Sequence, residues 1–140
     1  MRESAPQKTK QGFPKSRRLL RHRDFEGVYK RGKRHFATHL TVFYLRREQG
    51  ERGWRVGFTV GKQLGGAVQR NRIKRRLREA VRLNMKGTTT RVDIVINPKR
   101  STLTADFRDL QDEITHAFRL IERATKSETG GGPSRDVKLG

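Results

Sequence analysis

Nine Lys or Arg residues and no acid fall between Arg52 and Arg78, and they are densest in Arg70-Asn71-Arg72-Ile73-Lys74-Arg75-Arg76-Leu77-Arg78. A segment this charged can enter a folded domain only as a surface element, with its few apolar side chains gathered on one side. At about 100° per residue, Ile73, Leu77, Ala80 and Val81 form one stripe of a helix. Asn71, Arg75, Arg78 and Arg82 gather opposite, with Lys74 at the border. The stripe predicts docking on a sheet, which leaves a row of guanidinium forks facing out. Such forks match phosphate oxygens bidentately, and Asn71 can donate to phosphate or sugar. An ordinary solvated helix face mixes signs to limit repulsion, whereas Glu79 is the only acid between Arg70 and Arg82. Arg70 falls near the apolar stripe, so it is expected in an irregular first turn. It follows Gly65-Gly66, whose backbone can approach a phosphate.

The charge bias extends over the whole chain: 34 Lys plus Arg against 14 Asp plus Glu give +20 over 140 residues. Self-repulsion of that size opposes compaction, and a polyanion, nucleic acid first, is the partner expected to relieve it. Only 31% of the residues are hydrophobic, enough for one modest core. No stretch approaches the roughly 20 apolar residues of a membrane span, and Met1 to Pro6 lack the apolar run of a secretory signal. A cytoplasmic protein with no membrane partner is expected. The absence of Cys excludes disulfides, thiolate metal sites and thiol nucleophiles.

Residues 1–18 hold six basic residues and two prolines and are expected to form a disordered cationic arm. Gly130-Gly131-Gly132-Pro133 interrupts any helix, so residues 127–140 are expected to be a disordered tail. The domain between them, 19–126, opens on a short helix with Phe25, Val28 and Tyr29 at i, i+3 and i+4, Asp24 in its first turn and Gly32 as its stop. Residues 40–45 and 54–60 have strand composition, and the polar link between them predicts a hairpin. Residues 92–96 predict a further strand ended by Pro98, and a short one is expected near Arg34 to Ala37. A last helix carries Phe107, Leu110, Ile114, Ala117, Phe118 and Ile121 on one face, capped by Thr102 or Thr104, with acids early and bases late as the helix dipole favours. The fold class is α+β, a small sheet packed by helices in the order α-β-β-β-α-β-α.

Phe25 and Tyr29 lie one helical turn apart, and Phe43 projects from its strand opposite Leu40, Val42 and Tyr44. These rings suit a core or a stacking platform for unpaired bases equally well, and composition does not choose between the two. His35 and His39 can share a strand face, but two histidines without a nearby acid make a poor metal site. The acids from Asp106 to Glu113 are explained by the helix dipole. The basic segment offers no carboxylates to hold metal ions beside a phosphodiester, so no catalytic residue and no metal ligand is expected on this chain.

Gly65-Gly66-Ala67-Val68-Gln69-Arg70-Asn71-Arg72-Ile73-Lys74-Arg75-Arg76-Leu77-Arg78-Glu79 closely resembles the signature of the bacterial ribonuclease P protein component family. Asp24-Phe25 with Val28-Tyr29 and Gly32, Val56-Gly57-Phe58-Thr59-Val60 and Val92-Asp93-Ile94-Val95-Ile96 follow the family's order and spacing, over roughly residues 19–124. Gly66, Gln63 and Asn97-Pro98-Lys99-Arg100 depart from its usual residues, the last from a common Ala-Arg-Lys.

The resemblance implies a ribosomal-protein-like α/β sandwich with a left-handed βαβ crossover through the basic helix. It implies an accessory subunit of a ribonucleoprotein endoribonuclease that trims the 5′ leader from precursor tRNA. The RNA subunit would perform the hydrolysis and hold Mg²⁺, and no small-molecule substrate would be involved. Carried over residue by residue, Lys62, Arg70, Asn71, Arg72, Lys74, Arg75 and Arg78 match RNA-contacting positions. Phe25, Tyr29 and Phe43 match the cleft that takes the single-stranded leader. A ribosomal or other RNA-binding protein accounts for the charge and the aromatics but not for the extended signature. A DNA-binding module lacks a helix-turn-helix pair or zinc spacing here.

Overall fold

The computed structural model describes residues 22–50, 52–85 and 90–129. The arm expected over 1–18 lies outside them; of the tail expected over 127–140, only residues 127–129 are described, and they continue the last helix instead of forming a disordered tail. The elements are α1 (His22–Arg31), β1 (Lys33–Phe36), β2 (Leu40–Arg46), β3 (Trp54–Phe58), a 3₁₀ turn (Lys62–Leu64), α2 (Ala67–Arg82), β4 (Val92–Pro98), a second 3₁₀ turn (Arg100–Leu103) and α3 (Phe107–Thr129). This is the order expected from the sequence.

One pairing differs. The sheet runs β1-β2-β4-β3, so β2 and β3 are not a hairpin: β4 lies between them, antiparallel to β2 and parallel to β3. The reason is burial. Six of the seven β4 residues are buried. A strand apolar on both faces is stable only with a neighbour on each edge and a layer on each side. The parallel β3–β4 pair then needs a crossover, and α2 supplies it.

One face of the sheet presents Leu40, Val42 and Tyr44 of β2, Trp54 and Val56 of β3, and Val92, Ile94 and Ile96 of β4. It is covered by Ile73, Leu77, Ala80 and Val81 of α2 and by Ile114, Ala117, Phe118 and Ile121 of α3. Trp54 packs edge-on to Phe118 at 5.2 Å, and its indole N–H donates to Thr90 Oγ1 at 2.8 Å. The opposite face is more thinly covered. There Val28 of α1 and Val95 of β4 are buried, with Phe25, Phe43 and Leu45 packed around them. Gly32 ends α1 because a Cβ there would run into the carbonyl oxygens of Val28 and Tyr44, and its N–H donates to Val28 O at 2.8 Å.

Neither Thr102 nor Thr104 caps α3. Asp106 does so, its Oδ1 accepting from the Arg108 N–H at 3.0 Å. Thr102 is buried with its hydroxyl donating to His39 O, and Thr104 closes the second 3₁₀ turn. Asx side chains compete strongly for this position, and the 3₁₀ turn uses up the threonines.

At one end of the sheet Asp93 of β4 is 5% exposed and ties β3 to the residue that follows β2. Arg55 Nε donates to its Oδ1 and Arg55 Nη2 to its Oδ2, both at 2.9 Å, and Arg47 Nε lies 2.9 Å from Oδ1. Burial pushes the Arg47 guanidinium below its usual range, and Asp93 partly restores it. Asp93→Asn removes the charge that two guanidiniums share, and breaking a buried pair from one side costs about 3 kcal/mol or more. Urea denaturation should show the midpoint falling with the slope unchanged; an unchanged midpoint would mean that the pair is idle.

Candidate nucleic-acid interface

A 3₁₀ turn and a glycine set the entry to α2. Gly65 has φ 130°, a conformation that side chains resist, and Gly66 is the helix N-cap. The helix therefore begins at Ala67, and Arg70 makes a regular helical bond from its N–H to Gly66 O at 2.9 Å. Arg70 is not in an irregular turn. Its side chain is half-buried beside the apolar stripe, and its Nε has no hydrogen-bond partner among the described residues.

Beyond it, Asn71, Arg72, Arg75 and Arg78 are exposed, and Lys74 is half-buried at the border. Two of the arginines are committed elsewhere. Arg76 donates to the carbonyl oxygens of Leu103 and Ala105, pinning α2 to the segment before α3. Arg82, expected on the outward face, pairs with Glu79: its Nε donates to Oε1 at 3.2 Å. That bond holds the Glu79 carboxyl below the usual carboxylate range. The acid of the segment thus cancels Arg82 and leaves the rest of the row positive. Arg72, Arg75, Arg76 and Glu79 line a shallow hollow closed on one side by Phe107 of α3. Lys62 is exposed in the 3₁₀ turn. Arg100, which sequence reasoning did not single out, joins it by donating to Gln63 O at 3.0 Å.

Phe25, Tyr29 and Phe43 do come together, on the opposite side of the sheet from α2. Tyr29 meets Phe43 edge-on at 4.8 Å and 85°. Phe25 and Phe43 are half-buried against Val28 and Val95, so they serve both the small core and the surface above it, whereas Tyr29 is 39% exposed. The Tyr29 and Thr59 hydroxyls both donate to Asn97 Oδ1, at 2.9 and 2.5 Å. Asn97 belongs to the stretch that departs from the family pattern, and it supplies the polar floor of the cleft. Strand register puts Phe36 opposite Thr41 and Thr41 opposite Asn97, and it puts Arg34 opposite Phe43. Phe36 and Arg34 therefore border the same surface. Their signal in the sequence was only a short expected strand.

His35 and His39 do not share a strand face, because His39 lies in the turn after β1. An acid is at hand after all: Glu113 of α3 accepts from the His39 backbone N–H at 3.0 Å. The His35 ring stands 5.6 Å from that of His116. Burial, and then the neighbouring His116, push His35 below the usual histidine range, with Glu113 opposing. Among the described residues no three His, Cys, Asp or Glu side chains are grouped so as to hold a metal ion.

A family model described as Ribonuclease P matches residues 13–122. The chain is 42% identical over 105 residues to the ribonuclease P protein component of Finegoldia magna, covering 75% of this chain and 90% of that one. It is 35% identical over 122 residues to that of Acidothermus cellulolyticus, covering 87% and 99%. The solved RNase P protein of Staphylococcus aureus superposes with a TM-score of 0.67 at 26% identity, covering 76% of this chain and 96% of that one. For the Thermotoga maritima RNase P protein the values are 0.63, 27%, 71% and 93%.

Two outcomes follow from the geometry. Arg75→Ala should lower the salt dependence of RNA binding by about one unit of slope without moving the unfolding midpoint. Arg76→Ala should do the reverse, costing about 1–3 kcal/mol for two carbonyls left without their donor. Salt titrations and denaturation of both variants separate the roles; identical behaviour would overturn them. The second outcome concerns His35. Its folded pKa lies below the unfolded value, so the unfolded chain takes up the proton first. Stability should be full above about pH 6.5 and decline as pH falls below it. His35→Gln should flatten that decline in melts run across pH, and an unaltered profile would exclude His35 as its source.

Proposed function

Since the chain belongs to the ribonuclease P protein family, we propose that its two surfaces divide the handling of a catalytic RNA and of its substrate. The chain is the protein subunit of the ribonuclease P ribonucleoprotein, the endoribonuclease that removes the 5′ leader from precursor tRNA. The α2 face, with Arg70, Asn71, Arg72, Lys74, Arg75 and Arg78 and with Lys62 at its entry, docks on the RNA subunit. There it relieves phosphate repulsion that Mg²⁺ would otherwise have to screen. The cleft of Phe25, Tyr29 and Phe43 holds the single-stranded leader by stacking, and Asn97 orients Tyr29 for that contact. A mature tRNA has no leader to bind, so the cleft favours substrate over product.

The observation that carries this reading is the placement of the free arginines and of the aromatic cleft on opposite sides of one sheet. A single protein can then touch both molecules at once. Three of the acids are committed to the fold: Glu79 is paired with Arg82, Asp106 caps α3 and Asp93 is buried between two arginines. Mg²⁺ would be held by phosphate oxygens of the RNA subunit, where it would supply the activation of water and the stabilisation of a leaving oxygen. The chain's own residues bind and orient. No helix among the described residues is long and apolar enough to cross a membrane, and the cytoplasm, where precursor tRNA is made, is the proposed location.

Reconstitution tests this. Cleavage of precursor tRNA at low Mg²⁺ should require RNA subunit and protein together, with neither active alone. Cleavage by protein alone, or no stimulation of the RNA, would overturn the reading. Within the holoenzyme Tyr29→Ala is the cleanest cleft variant because its ring is the most exposed of the three. Base–aromatic stacking is worth about 1–3 kcal/mol. Precursor affinity should therefore fall by roughly one to two decades with mature tRNA unaffected, and an unchanged precursor-to-product ratio would remove the leader from the cleft.

A further inference from the structure

The aromatic surface does not end at Phe43. Phe36, on edge strand β1, is 66% exposed, the most exposed aromatic side chain among the described residues. The Arg34 guanidinium lies 5.4 Å from the Phe36 ring centre and 5.9 Å from that of Phe43, bridging the two. Register makes Phe36, Thr41 and Asn97 one row across β1, β2 and β4, continued by the Thr59 hydroxyl bonded to Asn97. At about 4.8 Å per strand the row spans roughly 14 Å from the β1 edge to the far side of the sheet. It carries an aromatic ring at one end, hydroxyls and an amide in the middle, and exposed Lys62 in the turn that follows Thr59 and Val60.

We infer that Arg34 and Phe36 form an additional nucleotide subsite at the β1 edge, one position beyond the Tyr29–Phe43 pair, which stacks a base of the leader on Phe36 and holds its phosphate on Arg34. The occupant is single-stranded RNA for three reasons. The ring is continuous with the cleft. A guanidinium lying against two rings is already oriented to serve a phosphate and a base together. Arg34 lies on the same face of β1 as Phe36, and β1 carries no acid. Stacking asks only for a π-face, so the subsite lengthens the footprint on the leader without imposing a sequence. The inference deepens the leader-binding reading and depends on it.

Holoenzyme assembled from the full chain and its RNA subunit would be titrated with precursors whose leaders grow one nucleotide at a time, beside mature tRNA. For the natural protein, affinity should rise with each nucleotide until the subsite is filled. Phe36→Ala should lose the last step alone, roughly five- to tenfold, the low end of stacking for an open site, and Phe36→Trp should restore it. If Phe36→Ala matches the natural protein at every leader length, the subsite is overturned while the cleft stands. If affinity does not depend on leader length in the natural protein, the leader reading itself falls. Equal weakening of all substrates, mature tRNA included, would assign Phe36 to the RNA subunit. A change in the association state of the free protein would assign it to a second copy of the chain. Either result overturns the subsite. The ring is exposed, so thermal melts of both variants should coincide with the natural protein's.

Discussion

The fold depends on a strand that has no solvent side. Val92, Ile94 and Ile96 face α2 and α3, while Val95 faces α1, so β4 has to be sandwiched, and each of its edges has to be paired. With little more than a single core's worth of apolar residues, burying this one segment on both faces is how a strongly cationic chain obtains a compact centre. Once β4 is central, the parallel partner β3 requires a crossover. The segment that makes it is the most basic of the chain, so its charged face is forced outward. The cationic surface is in this sense a consequence of the core.

A chain of charge +20 must also decide which cations the fold consumes. Arg47 and Arg55 are spent on Asp93, Arg76 on two carbonyl oxygens, and Arg82 on Glu79. Each of these contacts either joins elements distant in sequence or neutralises a helix acid locally. The cations left exposed on α2 after this sorting, Arg72, Arg75 and Arg78, have no such assignment and face solvent beside the neutral Asn71. A partner rich in phosphate meets a row whose positive charge is undiluted and whose backbone is already fixed, which reduces the ordering cost of binding.

Periodicity made the local structure legible. The stripe Ile73, Leu77, Ala80 and Val81, the apolar face of α3, the stop at Gly32 and the short strand before β2 all follow from residues within a turn or two of one another. The partners of the strands did not, because a polar link between two strand-like runs is compatible with a hairpin or with a third strand inserted between them. Only the two-faced burial of β4 decides. Arg75 and Arg76 are adjacent in sequence and equal in charge, and what separates them is Leu103 and Ala105, nearly thirty residues away. Asn97 was visible only as a departure from a pattern, and its place under Tyr29 and Thr59 depends on the same long-range register. The family was readable from the signature; which of its cations the fold consumes was not.

The two surfaces lie on opposite sides of the sheet, yet one stretch of chain touches both. Asn97 forms the floor of the cleft through Tyr29 and Thr59, and three residues later Arg100 donates to Gln63 in the turn that starts α2. Thr59 itself leads through Gly61 into that turn. Lys99, between them, is fixed to the β1–β2 turn by its N–H to His39 O and by its ammonium to Ala37 O. The ends of β3 and β4, the entry to the basic helix and the polar edge of the cleft are therefore held by one short, mutually bonded segment. A rigid junction of this kind fixes the distance and angle between whatever occupies the cleft and whatever sits on α2. Positioning a strand end relative to a catalytic RNA requires that geometry, and a pair of independently flexible binding patches would not provide it.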